Sequence, residues 1–113
     1  MDIKYKIWVE KDGKVVFGKG RDDILVAVAA EHSLNAAAKK LEMSYRAAWG
    51  RLKASENRLG VKLVEIDTDN KGMQLTARAR AIIDRFEKLE RDVEGLLSAA
   101  TDDFRELVDR KDK

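Results

Sequence analysis

Ser33 to Gly60 reads SLNAAAKKLEMSYRAAWGRLKASENRLG, and the fold turns on this stretch. Ser33 is a good N-cap, because its hydroxyl can accept from an unpaired amide of a first helical turn. Leu34, Ala37, Ala38 and Leu41 then recur at i, i+3, i+4 and i+7, which is one apolar helical face. Glu42 and Met43 interrupt that face. Ser44 offers a second N-cap. Behind it Ala48, Leu52, Ser55 and Leu59 form a second inward face, and Gly60 is a helix stop. The alanines let two helices cross closely. Two capped helices joined by a turn of a few residues predict a helix-turn-helix, the motif whose second helix enters the major groove of DNA.

At about 100° per residue, the outer face of the second helix carries Arg46, Gly50, Lys53 and Asn57, with Tyr45 and Trp49 on its shoulder. Arg46 can donate a bidentate pair to a guanine edge, and Lys53 can neutralise a phosphate. Gly50 costs the helix about 1 kcal/mol against alanine, which suits a backbone pressed close to another surface. The alternative is a solvated face with Trp49 packed in the core.

Charge supports the first reading. Net charge is only +2 over 113 residues, but Leu34 to Lys62 holds seven basic and two acidic residues, whereas Asp84 to Lys113 holds seven basic and ten acidic. A basic middle that coincides with the helical pair is the footprint expected of a DNA-binding surface. No cysteine is present, so a disulfide framework and a thiolate metal site are both excluded. With no long apolar run and no signal-like start, the expectation is a cytoplasmic protein with no membrane partner. No nucleophile–base pair stands out, and the expectation is a non-enzyme without cofactor, metal or catalytic residues.

The flanks are read the same way. Ile3, Tyr5, Ile7 and Val9 alternate with polar neighbours and predict a strand. Asp12-Gly13 predicts a type I′ turn, with Val15 to Phe17 returning. Gly18-Lys19-Gly20 breaks the hairpin and lacks the spacing of a P-loop. Asp22 and Asp23 suit a helix start, Ile24, Leu25, Val28 and Ala29 its buried stripe, and His32 its C-terminus. After the helical pair, Lys62 to Ile66 and Met73 to Leu75 predict a two-stranded wing. Its turn only partly mimics a calcium loop, since Lys71 and Arg78 stand where ligands should be. Asn70 and Lys71 at the wing tip suit phosphate or minor-groove contact. Thr76 caps a long helix whose Ile82, Phe86, Leu89, Val93 and Leu96 form a heptad-like seam suited to a second subunit. Thr101 is expected to cap a separate final helix.

The whole predicts a mainly α chain with short β-hairpins (α+β). It is a winged helix-turn-helix with an N-terminal β-hairpin and a long C-terminal dimerisation helix. Residues 1–113 form one domain: hairpin 1–20, three helices 21–60, wing 61–76 and C-terminal helices 77–108.

Several runs resemble the DNA-binding domain of ModE-type molybdate-responsive regulators, and more distantly the LysR-type winged helix. They are Ile7 to Lys14, Ser33 to Ala38, Met43 to Trp49, Leu63 to Glu65 and Leu75-Thr76; Ser44-Tyr45-Arg46-Ala47-Ala48-Trp49 is the most specific. The resemblance implies a prokaryotic transcription regulator that binds duplex DNA as a homodimer. Ser44, Tyr45, Arg46, Trp49 and Lys53 become base and backbone contacts. With Ser33, Gly50, Asn70 and Lys71 they complete the candidate DNA-binding set. The wing is shorter than ModE-type wings, and no oxyanion-binding domain follows, so an oxyanion effector is not carried over. The competing reading is a protein-interaction module on the same scaffold, without DNA specificity of its own.

Overall fold

A computed structural model describes residues 1–69 and 72–112. The elements run β1 (Trp8–Lys11), β2 (Lys14–Gly18), α1 (Lys19–Glu31), α2 (Leu34–Lys40), α3 (Tyr45–Leu59), β3 (Val64–Asp67), β4 (Gly72–Leu75) and α4 (Ala77–Asp109). β1 pairs antiparallel with β2, and β3 with β4. This is an α+β winged helix-turn-helix, as the spacing of caps and apolar faces predicts.

The caps form where hydroxyls precede apolar runs. Ser33 Oγ accepts from the Ala36 N–H, Ser44 Oγ from Ala47 and Thr76 Oγ1 from Ala79, all at 3.0–3.1 Å. Each satisfies one first-turn amide that the helix itself cannot. The helix stops are left-handed: His32 at φ 57° ends α1 and Gly60 at φ 71° ends α3. Asp12 and Gly13 both take positive φ, as a type I′ turn requires.

The core sits where α1, α2 and α3 cross. Ile24, Leu25 and Val28 of α1 meet Leu34, Ala37 and Ala38 of α2 and Ala48 and Leu52 of α3. The wing closes one side through Leu63, Val64 and Leu75, and Phe17 of β2 the other. The Phe17 ring meets Phe86 of α4 edge to face at 5.0 Å between centroids. Such a pair adds about 0.5–1.5 kcal/mol to its buried area.

Several sequence expectations need correction. The strand expected from Ile3 begins only at Trp8, because β2 is five residues long and offers no partner further back. The preceding residues instead lie along α4, where the Tyr5 hydroxyl donates weakly to the Glu90 carbonyl at 3.5 Å. α1 starts at Lys19, ahead of Asp22, so the first turn absorbs the glycine-flanked break. α4 is one helix of 33 residues with no second start at Thr101. Thr101 Oγ1 donates back to the Leu97 carbonyl at 2.7 Å, a bond made within a continuing helix rather than at a cap. Phe86 belongs to the protein's own core at 4% exposure and leaves the proposed intersubunit seam.

At about 1.5 Å per residue, α4 is about 50 Å long, and the molecule measures 71 × 30 × 24 Å. Its first third is anchored by Ala79, Ile83 and Phe86. No residue of α4 beyond Phe86 is buried. Among the described residues no helix is long and apolar enough to cross a membrane.

Candidate nucleic-acid interface

α3 has one buried side and one bare side, and its sequence dictates which is which. Ala48, Leu52, Ser55 and Glu56 are buried. Arg46, Gly50 and Asn57 are exposed, with Tyr45 at 50% and Trp49 at 46%. Trp49 is therefore not packed in the core. Arg46 has no hydrogen-bond or ion-pair partner among the described residues. Gly50 faces open space, so no internal crowding requires a glycine there.

Lys53 is partly committed. Its Nζ lies 3.0 Å from Glu56 Oε1 and 5.9 Å from the centroid of the Trp49 ring. It retains donors for an outside acceptor, since an ammonium has three. Ser44 and Ser33 spend their oxygens on capping amides, yet each hydroxyl proton stays available. Ser33 stands at the start of α2 and Ser44 at the start of α3, so both lie beside helix N-termini that favour anions. Asn70 and Lys71 lie outside the described residues.

Glu56 is a residue the sequence reading missed. Its Oε2 accepts from the Leu63 N–H at 2.8 Å and the Val64 N–H at 3.4 Å, so α3 fixes where the wing begins. Burial opposes its charge. The N–H of Leu63, the Lys53 ammonium and the N–H of Val64 outweigh that and hold the carboxyl below its ordinary value. The signal was present: a carboxylate four residues after Leu52 and three before Leu59 falls inside the apolar stripe.

Two more links set the frame around α3. The Met73 N–H donates to the His32 carbonyl at 2.9 Å, joining the wing to the end of α1. Arg58 Nη1 donates to the Val15 carbonyl at 2.7 Å, joining α3 to the N-terminal hairpin. α3 is thus tied directly to both hairpins, and through the wing to α1. Among the described residues no group of three or more His, Cys, Asp or Glu is placed to hold a metal ion.

A capped second helix of 15 residues with a bare, basic and aromatic outer face, held against a wing, defines a helix-turn-helix DNA-binding module. Residues 23–80 match the family described as bacterial regulatory helix-turn-helix protein, lysR family. The chain belongs to the LysR family and carries the DNA-binding domain of a transcription regulator. The family established is thus the more distant half of the sequence resemblance. No curated protein matches the chain.

Solved structures agree with the family. The chain is similar to the protein in the CbnR_DBD–DNA complex, at 30% identity over 80% of this chain and 97% of that one, with a TM-score of 0.52. It is 29% identical to CbnR, a LysR family transcriptional regulator, over 77% of this chain, with a TM-score of 0.52. It spans only 28% of that regulator's length. The protein of the BenM_DBD/benA site 1 DNA complex shares the fold, at 23% identity over 73% of this chain and 93% of that one, with a TM-score of 0.58.

Proposed function

We propose that this chain binds duplex DNA sequence-specifically as a homodimer, each copy laying α3 in the major groove. The observation that carries this reading is Arg46, exposed and without a partner among the described residues, on a capped helix whose far side is locked into the core. Arg46 reads a base edge. Tyr45 and Trp49 line the groove wall, and Gly50 allows close approach. Lys53, Ser44 and Ser33 meet backbone oxygens. Asn70 and Lys71, between the two wing strands in sequence, take flanking phosphate. Such a protein regulates transcription rather than catalysing a reaction, and works in the cytoplasm. The LysR-type complexes with DNA support the mode of binding. A ModE-type refinement rests on the sequence runs alone, of which Ser44 to Trp49 is the most specific.

The homodimer reading rests on α4. Leu96 is 71% exposed, and Phe104, Leu107 and Val108 are also largely bare. At the root of the helix Val9, Val16, Ile82 and Leu89 line an apolar groove of about 400 Å³. A second copy would cover this surface. The test of DNA binding is affinity for a duplex selected from a random pool against an unselected one, measured across salt concentrations. A preference for the selected duplex and a steep fall with salt are expected. Equal and weak affinity for both would leave only an interaction module.

A further inference from the structure

The N-terminal hairpin and the first turn of α1 lie outside the matched residues 23–80, yet they build a second basic surface. A pocket of about 370 Å³ opens between the hairpin, the start of α1 and one flank of α3. Lys6, Trp8, Lys19, Arg21 and Arg51 line it, together with both glycines of the Gly18-Lys19-Gly20 run, and no acidic residue does.

The cations here are not balanced from within. Lys19 is held by Asp23 at 2.8 Å. Lys6, Arg21 and Arg51 have no carboxylate partner among the described residues. Arg21 spends only its Nε, which donates to Ser55 Oγ at 3.1 Å. Burial, then the charges of Arg58 and Arg51, push the Arg21 guanidinium below its ordinary pKa. Arg21 is half-buried and Arg51 exposed beside the same pocket, and an anion seated there would offset the unfavourable effect of Arg51 and Arg58 on the Arg21 charge. Beside them Lys6 Nζ stands 5.9 Å from the centroid of the half-exposed Trp8 ring.

We propose that this pocket seats a backbone phosphate of the same duplex whose major groove α3 occupies. It rests on the DNA reading above and extends the interface onto residues outside the family match. Arg51 follows Gly50, about 100° further round the helix. A helix about 10–12 Å across fills a major groove about 12 Å wide. Side chains on its flanks therefore meet the sugar–phosphate walls rather than base edges. Tyr45 and Trp49 take one flank, and Arg51 the other. On the Arg51 side the body behind the helix is the hairpin and the start of α1, which supply Lys6, Arg21 and an apolar wall at Trp8 for a deoxyribose. The contact carries no sequence information of its own, and it fixes the register of α3 in the groove.

The test is the double variant Lys6→Ala with Arg51→Ala, both exposed side chains, on a random-sequence duplex. The slope of log affinity against log salt should fall by about one, for the one phosphate the pocket seats. Ethylation interference on the pool-selected duplex should show at least one phosphate that wild type needs and the double variant does not. Arg51→Lys should keep most of the slope. An unchanged slope, or an identical ethylation pattern, overturns the proposal. Arg46→Ala measured alongside separates the two readings. If wild type shows no salt-sensitive duplex affinity, the DNA reading falls and this falls with it. If Arg46→Ala loses preference for the selected duplex while the double variant keeps its slope, the pocket alone falls. Should the double variant fail to fold, Arg51→Gln decides, with an expected drop of about one.

Discussion

Glu56 of α3 accepts a 2.8 Å hydrogen bond from the backbone N–H of Leu63, so the helix proposed to read DNA also holds the root of the wing. Hydrogen bonds to a charged group contribute about 1.5–3 kcal/mol, and removing the acceptor strands two buried N–H groups. Glu56→Ala should therefore destabilise the protein by about 2–4 kcal/mol, the upper end reflecting the orphaned donors. Because its pKa is depressed in the folded state, its contribution is present above the ordinary carboxylate pKa and is lost as pH falls through the folded value. Denaturant melts at pH 7 and pH 3 check this: the gap between wild type and variant should narrow in acid.

Asp22 should behave the opposite way. It is 2% exposed, and its Oδ1 has no hydrogen-bond partner. Burial, then the neighbouring Glu87 carboxylate, push its carboxyl up to about 7, against a smaller pull from Lys19. A raised folded pKa means the stabilisation is complete below the ordinary value of 3.8, erodes as pH rises, and is gone above about 7. Asp22→Asn keeps the shape without the charge. Its melting temperature should exceed wild type at pH 8, and the difference should shrink toward pH 5. An equal difference at both would show that Asp22 does not titrate there. Since Glu87 lies on α4, the pair also reports on how that helix seats against α1.

How much of this was legible beforehand differs by element. The helical pair was readable because Ser33, Ser44 and Thr76 precede runs with a period near 3.6, so cap and periodicity agreed. The bare face of α3 followed from the same periodicity. Buried charges were only partly legible. Asp22 looked like a helix-start residue, and although Glu56 falls inside the apolar stripe of α3, its position does not show that it finds backbone donors. Tyr5 and Ile3 alternated like a strand, but alternation says nothing about whether a partner strand is long enough. Phe86 fitted the heptad seam because it repeats with Leu89 and Val93. Only the fold shows that Phe17 already occupies its other side.

Gly72 is required by space. A Cβ there would stand 2.8 Å from the His32 carbonyl oxygen, the same atom that accepts from the Met73 N–H. Backbone cannot yield as a flexible side chain does, so Gly72→Ala should push the wing off α1 at about 1–3 kcal/mol. Hydrogen exchange at the Met73 amide is the direct readout. Faster exchange there, with α2 and α3 amides unchanged, is the expected pattern. Unaltered protection would mean the wing accommodates the methyl.

Arg46 supplies the specificity test. With its guanidinium free and its helix capped by Ser44, it is pre-organised for a bidentate contact with a guanine edge. Arg46→Ala should cost about 1–3 kcal/mol on the selected duplex and much less on a random one. Competition binding with both duplexes measures it. Equal losses would reduce Arg46 to a phosphate contact.

The dimer prediction is best tested beyond Phe86, where α4 leaves its own core. Leu89 lines the groove against Val9 and Val16, so changing it would disturb the fold and the interface together. Val93 and Leu96 are further out: Val93 is half-buried and Leu96 bare. Burying a leucine-sized side chain contributes about 1.5–3 kcal/mol, and a two-fold axis counts each change twice. A dimer is also what reading a long operator demands, since one helix-turn-helix covers a single half-site and two copies set half-sites about 34–36 Å apart. Val93→Glu with Leu96→Glu should therefore give a folded monomer, with unchanged far-ultraviolet circular dichroism and far weaker binding to a two-fold symmetric duplex. Affinity for a single half-site should hardly change, because the α3 face is untouched. Sedimentation at micromolar concentration, wild type beside the variant, separates the outcomes. A wild-type monomer that still prefers its selected duplex would remove α4 as the dimer seam and leave its apolar face to a different protein.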